Sequence, residues 1–227
     1  MPKNQKSEKS ATRRKNLNLY DEFLASAPID RLQKIIARYE LFKMAANIPG
    51  DVVECGVFKG SGIHTLAKLH KILTPHNSKK IIGFDFFNSN RKIKFQKKTD
   101  QKVLDFHNPK LSNKEKILTD LAAVGIHNVE LIAGDVAKTT KTYAKKNPGF
   151  RIALLYLDVD NYEGTLEILK NLFPLVTPGG IVVFDEYAWR NHGESDAVNE
   201  YFRGQNPKLQ SLPYINTPTA YLVKEKF

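Results

Sequence analysis

Runs of hydrophobic residues alternate with amphipathic stretches along this chain, and the alternation predicts an α/β protein. Short, nearly continuous apolar runs bounded by turn residues are typical of strands buried on both faces of a parallel sheet. Such runs lie at 51–55, 80–85, 129–133, 152–157, 181–184 and 220–223. Between them, apolar residues recur at three- and four-residue steps, the spacing of helices with one buried face. We therefore expect a doubly wound, mostly parallel sheet with helices on both faces.

The N-terminal part of the chain has a helical pattern of its own before the first predicted strand. Hydrophobic residues repeat at helical spacing from 17 to 47, and the pair Pro49-Gly50 ends the pattern. We predict an N-terminal helical cap over 17–50, within a single domain over 17–227. Residues 1–16 are rich in lysine and arginine, and we expect them to form a basic disordered tail.

A second basic segment interrupts the alternation at 86–111, where neither a strand nor a helix pattern stands out. Its cationic residues include Arg91, Lys92, Lys94, Lys97, Lys98 and Lys102. Loops of this length inside compact domains are usually lids, binding loops or disordered segments. We predict a substrate or lid loop, and its charge suits a phosphorylated acceptor.

The composition narrows the class of protein without indicating a function. The 227 residues carry a net charge of +11 and a single cysteine, Cys55, so no internal disulfide can form and we expect a cytoplasmic protein. No apolar run approaches the ~20 residues of a membrane span, and we expect no secretory signal because the N-terminus lacks an apolar core. The charge could indicate an anionic partner, or it could reflect only a lysine-rich composition. It does not by itself predict nucleic-acid binding, because no aromatic-interleaved basic motif accompanies it.

Acidic residues follow two of the predicted strands. Asp158 and Asp160 come after the run that ends at Leu157, and Asp185 and Glu186 come after the run that ends at Phe184. In an open α/β sheet the carboxyl ends of neighbouring strands face one crevice, where ligands bind. Four carboxylates there repel each other unless a cation or shared protons lie between them. Because hard oxygen ligands favour Mg²⁺, Mn²⁺ or Ca²⁺, the sequence predicts a metal site.

A glycine-rich turn follows the first predicted strand, and acidic residues follow the next two. The turn at Gly56 is neither the dinucleotide fingerprint nor a phosphate-binding loop, because its glycine spacing differs and Gly-Lys-Ser/Thr is absent. Asp85 lies where an acid binds ribose hydroxyls in nucleotide-binding sheets. Asp135 could accept a hydrogen bond from the amino group of adenine, or could cap the helix that follows. With Glu54, these residues suggest an adenosine-bearing cofactor across the first three strand ends.

These motifs resemble those of a known family. The segment from Gly50 to Val57 with Gly60-Ser61 is similar to motif I of class I S-adenosylmethionine-dependent methyltransferases. The later motifs of the macrocin, mycinamicin and novobiocin sugar O-methyltransferases match in order and spacing at Leu157–Thr165, Pro178-Gly179-Gly180 and Asp185-Glu186-Tyr187. The resemblance covers roughly 37–202. It implies a Rossmann-like sheet of seven strands and methyl transfer from S-adenosylmethionine to the hydroxyl of a nucleotide-linked or natural-product deoxysugar.

The resemblance also assigns residues to the cofactor. It implies that Glu54, Gly56 and the backbone from Phe58 to Ser61 hold the methionine part of S-adenosylmethionine. It places the ribose hydroxyls on Asp85 and the adenine side on Asp135.

A second set of residues is assigned to the metal and the proton transfer. The resemblance implies that Asp158, Asp185 and Glu186 bind Mg²⁺ or another divalent cation, and that Asp160 is the general base. The family more often has Asp-Asp where this chain has Asp185-Glu186, and the longer arm of Glu186 would shift the ion. Alternatively, Asp160 caps the helix that begins near Glu163.

His192 is a further catalytic candidate, because it follows the second acidic pair closely in the chain. It could act as a second base or contact the substrate, and the alternative is a solvent-facing loop histidine.

Other functions stay open at this point. The acceptor could be a catechol-like aromatic, whose two adjacent oxygens also chelate Mg²⁺. A third possibility is a non-catalytic or RNA-binding protein on a methyltransferase scaffold, suggested only by the charge. Related sugar methyltransferases often form oligomers, which leaves open a homo-oligomer built through the N-terminal helices.

Overall fold

A mixed sheet forms the centre of the described part of the chain, which comprises residues 16–87, 93–106 and 112–225 of a computed structural model. Its strands are β1 Asp51–Cys55, β2 Ile81–Asp85, β3 Val129–Ala133, β4 Ile152–Leu157, β5 Val176–Phe184 and β6 Ala220–Val223. They lie in the order β3-β2-β1-β4-β5-β6, with the first five parallel and β6 antiparallel to β5. The order reverses between β1 and β4, the point where ligands bind in doubly wound sheets.

Every apolar run that predicted a strand forms one, but the seven-stranded sheet implied by the resemblance is not confirmed. The described residues build six strands, and beyond β6 the sheet gains only one isolated antiparallel bridge, Gln210 to Tyr221. The segment around this bridge contains Pro207, Pro213 and Pro218. Proline has no N–H for a strand ladder, which explains why pairing stops after one bridge.

Helices cover both faces of the sheet. They are α1 at 16–26, α2 Ile29–Ala45, α3 Ser61–Leu73, α4 Lys98–Phe106, α5 Lys114–Ala123, α6 Val136–Lys146, α7 Tyr162–Leu172 and α8 Glu194–Tyr201. Apolar residues of α2, α3 and α5 pack on one face, and those of α6, α7 and α8 pack on the other. The doubly wound arrangement predicted from the alternation is therefore confirmed.

The N-terminal segment differs from the expected helical cap. The single helical stretch predicted over 17–47 is divided at Pro28. Proline has no backbone N–H to donate within a helix, so the first helix ends before it. The second helix, α2, is part of the sheet-covering layer, because Leu41 and Phe42 are buried in the same core as α3. The side chains of α1 are exposed. A separate cap is therefore not confirmed, and residues 1–15 of the predicted tail lie outside the described residues.

The segment predicted as a loop contains a helix. Residues 98–106 form α4, whereas 88–92 and 107–111, which include Arg91 and Lys92, lie outside the described residues. The helix is short, and its only fully buried residue is the acidic Asp100. Long-range contacts stabilise such a helix, so the apolar pattern of the sequence does not reveal it.

None of the described helices is long and apolar enough to cross a membrane.

The carboxyl ends of β1 and β4 approach each other at Gly56. This glycine has a φ of +95°, and a Cβ on it would lie 1.6 Å from the carbonyl oxygen of Asp158. The Asp158 N–H donates to the carbonyl of Cys55 at 2.8 Å. Only glycine fits between these two backbones, and this contact sets the separation of the turn and the acidic strand end.

We expect Gly56→Ala to destabilise the protein far more than Gly125→Ala. Both glycines have positive φ, but a Cβ on Gly125 would meet no atom within 4 Å. Gly125→Ala therefore carries only backbone strain, about 1–2 kcal/mol, whereas Gly56→Ala adds a clash with backbone. Urea denaturation should show a further loss of at least about 2 kcal/mol for Gly56→Ala. Equal losses would contradict the close approach of the strand ends.

Candidate active site

A cavity of about 420 Å³ opens at the carboxyl ends of β1, β2, β4 and β5. Nine residues predicted for the site line it: Glu54, Gly56, Phe58, Ser61, Asp85, Asp158, Asp160, Glu186 and His192. Cations from α2 and apolar residues from the α4 segment complete the wall: Arg31, Lys34, Arg38, Phe95, Val103 and Leu104. Two predicted residues, Asp135 and Asp185, are not among the lining residues.

Asp85 holds the glycine-rich turn. One of its oxygens, Oδ2, accepts hydrogen bonds from the N–H groups of Val57 at 2.8 Å and Phe58 at 2.7 Å, and Oδ1 accepts from the Phe87 N–H at 3.1 Å. Phe58 has a φ of +46°, in the left-handed region. A carboxylate that accepts several N–H groups orders such a turn, so Asp85 shapes the wall of the cavity. Its predicted contact with ribose stays a prediction.

Glu54 is a buried carboxylate beneath the start of α3. A Cβ on Gly62 would lie 1.7 Å from Glu54 Oε1, so glycine is required above it. Arg38 Nη2 lies 3.5 Å from Oε1, while Oε2 has no hydrogen-bond partner among the described residues. Burial raises the pKa of Glu54 to about 7, against the opposing charges of Arg38 and Lys34. This unsatisfied acceptor fits a cationic ligand group such as the ammonium of a methionine moiety.

Asp158, Asp160 and Glu186 converge at the acidic strand ends. One carboxylate oxygen from each lies within 4.8 Å of the other two. Glu186 is 5% exposed, and its Oε2 has no hydrogen-bond partner among the described residues. Burial and the neighbouring carboxylates raise the pKa of Asp158 to about 8 and the pKa of Glu186 well above its usual range. The three side chains offer the oxygen ligands that a divalent cation prefers.

Asp185 lies behind this group and is fully buried. It accepts a hydrogen bond from the Tyr156 hydroxyl at 2.5 Å and one from Lys34 Nζ at 2.7 Å. Burial alone would raise the pKa of Asp185, but the Lys34 ammonium and these hydrogen bonds hold it below its usual range. The structure therefore brings Asp160 rather than Asp185 into the group of three converging carboxylates, and ligation by Asp185 stays a prediction.

Helix caps decide two of the alternatives left by the sequence. The side chain of Asn161 accepts the N–H of Gly164 at 2.6 Å, so Asn161 caps α7 and the interpretation of Asp160 as its cap is wrong. Asp160 instead has a φ of +59°. Such left-handed backbone conformations of non-glycine residues are often found at functional sites. Asp135 caps α6 through the N–H of Ala137 at 3.0 Å, and any contact with adenine is additional to this role.

His192 stands at the edge of the cavity, half-buried. Its Nδ1 lies 3.2 Å from the carbonyl oxygen of Arg190, and its ring contacts Trp189 edge-on at 5.7 Å between centroids. The position allows the predicted contact with a substrate.

The sequence analysis missed several residues of the site. Arg31, Lys34 and Arg38 recur at three- and four-residue steps on α2, and this cationic periodicity was the available signal. Glu194 is fully buried and accepts the N–H of Glu186 at 3.0 Å. Burial raises the pKa of Glu194 well above its usual range, and its carboxyl group supports the turn that carries Glu186.

Asp100 ties α4 to two turns beside the cavity. Its Oδ2 accepts the N–H of Tyr162 at 2.8 Å and its Oδ1 accepts the N–H of Gly193 at 3.1 Å. Tyr162 follows Asp160 by two residues, and Gly193 follows His192 directly. A Cβ on Gly193 would lie 2.4 Å from Asp100 Oδ2, so the fit needs glycine there. One buried carboxylate thus holds the cover of the cavity against the turns that carry two candidate catalytic residues.

We expect Asp100→Asn to loosen α4. The substituted amide offers only one acceptor oxygen to the two N–H groups, and one lost bond costs about 1–3 kcal/mol. Trypsin should then cleave after Lys98 and Lys102 roughly tenfold faster, because local opening exposes the segment. The matched control is Asp105→Asn, an exposed residue of the same helix that accepts from Gln101. Equal cleavage rates in the two variants would show that Asp100 does not anchor the helix.

Curated relatives of the chain methylate sugar-bearing natural products. It is 28% identical over 165 residues to the 8-demethyl-8-(2,3-dimethoxy-alpha-L-rhamnosyl)-tetracenomycin-C 4'-O-methyltransferase of Streptomyces olivaceus, covering 70% of this chain and 60% of that protein. It is 27% identical over 168 residues to the demethyldecarbamoylnovobiocin O-methyltransferase of Streptomyces niveus, covering 68% and 59%. The chain thus spans about 60% of the length of these relatives.

Similarity extends to solved structures and to a family profile. The apo structure of CalS11, a TDP-rhamnose 3'-O-methyltransferase in calicheamicin biosynthesis, superposes with a TM-score of 0.67 at 28% identity, over 89% of this chain and 86% of that one. The profile of the macrocin O-methyltransferases (TylF) matches residues 10–223. The resemblance indicated by the motifs is confirmed, and the chain belongs to the macrocin O-methyltransferase (TylF) family.

Proposed function

We propose that this protein transfers a methyl group from S-adenosylmethionine to a hydroxyl of a sugar, with a divalent cation at the acidic strand ends. The observation that carries the proposal is the shared cavity, in which the glycine-rich turn and the converging carboxylates lie side by side. Family membership supports the reaction class. The acceptor class rests on the sugar-modifying activities in the names of the relatives.

The cofactor half of the cavity fits S-adenosylmethionine by the chemistry of its donors and acceptors. The Oε2 of Glu54, which has no hydrogen-bond partner in the described part of the chain, would accept the methionine ammonium. Gly56 lets the ligand approach the backbone closely. Asp85 holds the turn in shape and keeps lone pairs for ribose hydroxyls. When bound, the cofactor supplies an electrophilic methyl group on a sulfonium.

The acidic half of the cavity fits a divalent cation such as Mg²⁺. Asp158, Asp160 and Glu186 would supply oxygen ligands. The observation that favours an ion there is the buried Oε2 of Glu186, which has no hydrogen-bond partner within 16–87, 93–106 and 112–225. Asp185 would enter the ligand set only by exchanging its bond with Lys34. A bound dication makes a sugar hydroxyl more acidic, as it does water.

Proton removal is the step that we assign to the chain itself. Asp160 stands at the end of β4 in the cavity. The oxygen of its carboxylate that does not face the ion would take the proton of the acceptor hydroxyl as the methyl group is transferred. His192 at the edge of the cavity would contact the acceptor. The apolar side chains of Phe95, Val103 and Leu104 line the cavity and would limit the access of water to the reacting groups.

The nature of the acceptor follows from charge and from the relatives. Lys94, Lys98 and Lys102 are exposed on the segment that borders the cavity, and cations there suit the diphosphate of a nucleotide-linked sugar. Lys97 is engaged with Asp196 and with the ring of Tyr162, so it is not part of this set. A catechol-like acceptor has no comparable support among the relatives. A non-catalytic RNA-binding scaffold would have no use for the carboxylate group.

We expect Asp85→Asn to weaken binding of S-adenosylmethionine at least tenfold. Asp85 Oδ2 accepts both N–H groups of the turn and Oδ1 accepts the Phe87 N–H, so the amide must turn its NH2 group towards one of these sets of donors. Loss of a hydrogen bond to a charged group costs about 1.5–3 kcal/mol. Calorimetric titration of the protein measures this affinity, with Asp120→Asn on the exposed face of α5 as the matched control. Failure of the wild-type protein to bind S-adenosylmethionine, with or without Mg²⁺, would refute the proposed function.

We expect Asp160→Asn to lower kcat at least about 100-fold, the contribution typical of a positioned general base, with little change in cofactor affinity. S-adenosylhomocysteine formation would be measured with a TDP-deoxysugar, the corresponding free sugar and a catechol, each with and without Mg²⁺. Turnover of the nucleotide-linked sugar alone supports the proposed acceptor. Turnover of the catechol alone would contradict the proposed acceptor. Unimpaired turnover by Asp160→Asn would contradict the role of Asp160 as general base.

A further inference from the structure

Lys34 places a cation of the protein itself among the carboxylates of the proposed metal site. Its Nζ lies 2.7 Å from Asp185 Oδ2 and 3.3 Å from Asp158 Oδ2, so the ammonium bridges the ends of β4 and β5. The side chain is 18% exposed, and Asp185 is almost completely buried. Lys34 belongs to α2, which packs outside the sheet. A helix distant in sequence thus supplies the positive charge that these acidic strand ends need.

Asp158 is shared between this cation and the candidate ligand group. The same carboxylate that contacts Lys34 belongs to the converging group with Asp160 and Glu186. Arg38 adds a second positive charge, with Nη2 3.9 Å from Asp158 Oδ2. An ammonium and a dication on one carboxylate repel each other, and the low exposure of the Lys34 and Asp158 side chains weakens the screening by water. We therefore expect an ion on Asp158 to weaken the contact of this carboxylate with Lys34.

Asp185 is the deeper anchor of Lys34. It receives the Tyr156 hydroxyl on Oδ1 and the ammonium on Oδ2. The contact with Asp158 is longer, and Asp158 is the more exposed of the two carboxylates, at 22% against 1%. The flexible stem of lysine allows its ammonium to give up the longer contact first.

We propose that Lys34 is a tethered competitor of the divalent cation, which occupies Asp158 in the metal-free protein and leaves it when an ion binds to Asp158, Asp160 and Glu186. The inference rests on the metal site of the proposed function. It adds that the affinity for the ion is set by an internal lysine, and that α2 senses whether the ion is present. Lys34 takes no part in the methyl transfer itself, and it acts on the ion through Asp158.

The first test is the affinity of the EDTA-stripped protein for Mn²⁺, measured by calorimetry or by the electron paramagnetic resonance of the free ion. Lys34→Met keeps an unbranched side chain that is one atom shorter and removes the charge. It should bind Mn²⁺ about tenfold more tightly than the wild type or better. The matched control is Lys43→Met, an exposed lysine on the same helix, and its affinity should equal that of the wild type. Equal or weaker binding by Lys34→Met would overturn the proposal.

A second measurement uses the wild-type protein and therefore does not depend on the folding of the variant. An amine held by two carboxylates acylates slowly. The rate at which acetic anhydride modifies Lys34, read by mass spectrometry of the digested protein, should rise severalfold when Mg²⁺ or Mn²⁺ is added. The rate at Lys43 should stay constant. A metal-independent rate at Lys34 would show that its ammonium does not leave Asp158, and would overturn the proposal.

Failure of this inference is distinguishable from failure of the proposed function. Cofactor binding and methyl transfer are measured without reference to Lys34. If they succeed while Mn²⁺ affinity and Lys34 reactivity stay unchanged, the methyltransferase stands and the competition is refuted. If neither the wild type nor Lys34→Met binds Mn²⁺, this inference and the metal part of the proposed function both fall.

Discussion

Backbone hydrogen bonds just beyond the parallel strands hold the candidate active site in place. They join the N–H and carbonyl groups of Gly56 and Phe84, Asp158 and Cys55, Asp185 and Leu157, and Gly134 and Asp85. Because each bond continues the ladder by one step, the residues that follow neighbouring strands stay in register. The glycine-rich turn and both acidic strand ends therefore face one cavity, and Gly56 can lie against Asp158 only because it has no side chain.

That register brings together more carboxyl groups than the nearby cations could balance if all of them were ionised. Asp158, Asp185 and Glu186 lie close to Asp160 and to the buried Glu194, whereas α2 contributes Lys34 and Arg38. Buried like charges at such distances keep protons or bind a cation. The raised pKa values of Asp158 and Glu186 are one expression of this imbalance. Occupation of Asp158 and Asp185 by the Lys34 ammonium is the other.

The cover of the cavity depends on contacts between segments far apart in the chain. Asp100 on α4 accepts N–H groups from the starts of α7 and α8, which carry the turns next to Asp160 and His192. The local sequences of α4, α7 and α8 do not reveal this connection. The apolar pattern of 98–106 is weak, and its helical conformation is decided by partners more than 60 residues away.

The sequence by itself determined where the six strands lie along the chain, their alternation with helices, the turn at Gly56 and the acidic strand ends. These follow from local spacing and from the rule that parallel strands end at one edge. Tertiary structure decided the rest. It divided the N-terminal helix at Pro28, limited the sheet to six strands among the described residues, and brought Lys34 to Asp158 and Asp185. Cations on a helix face have no preferred partner in sequence. Which carboxylates they meet is decided only when α2 packs on the sheet.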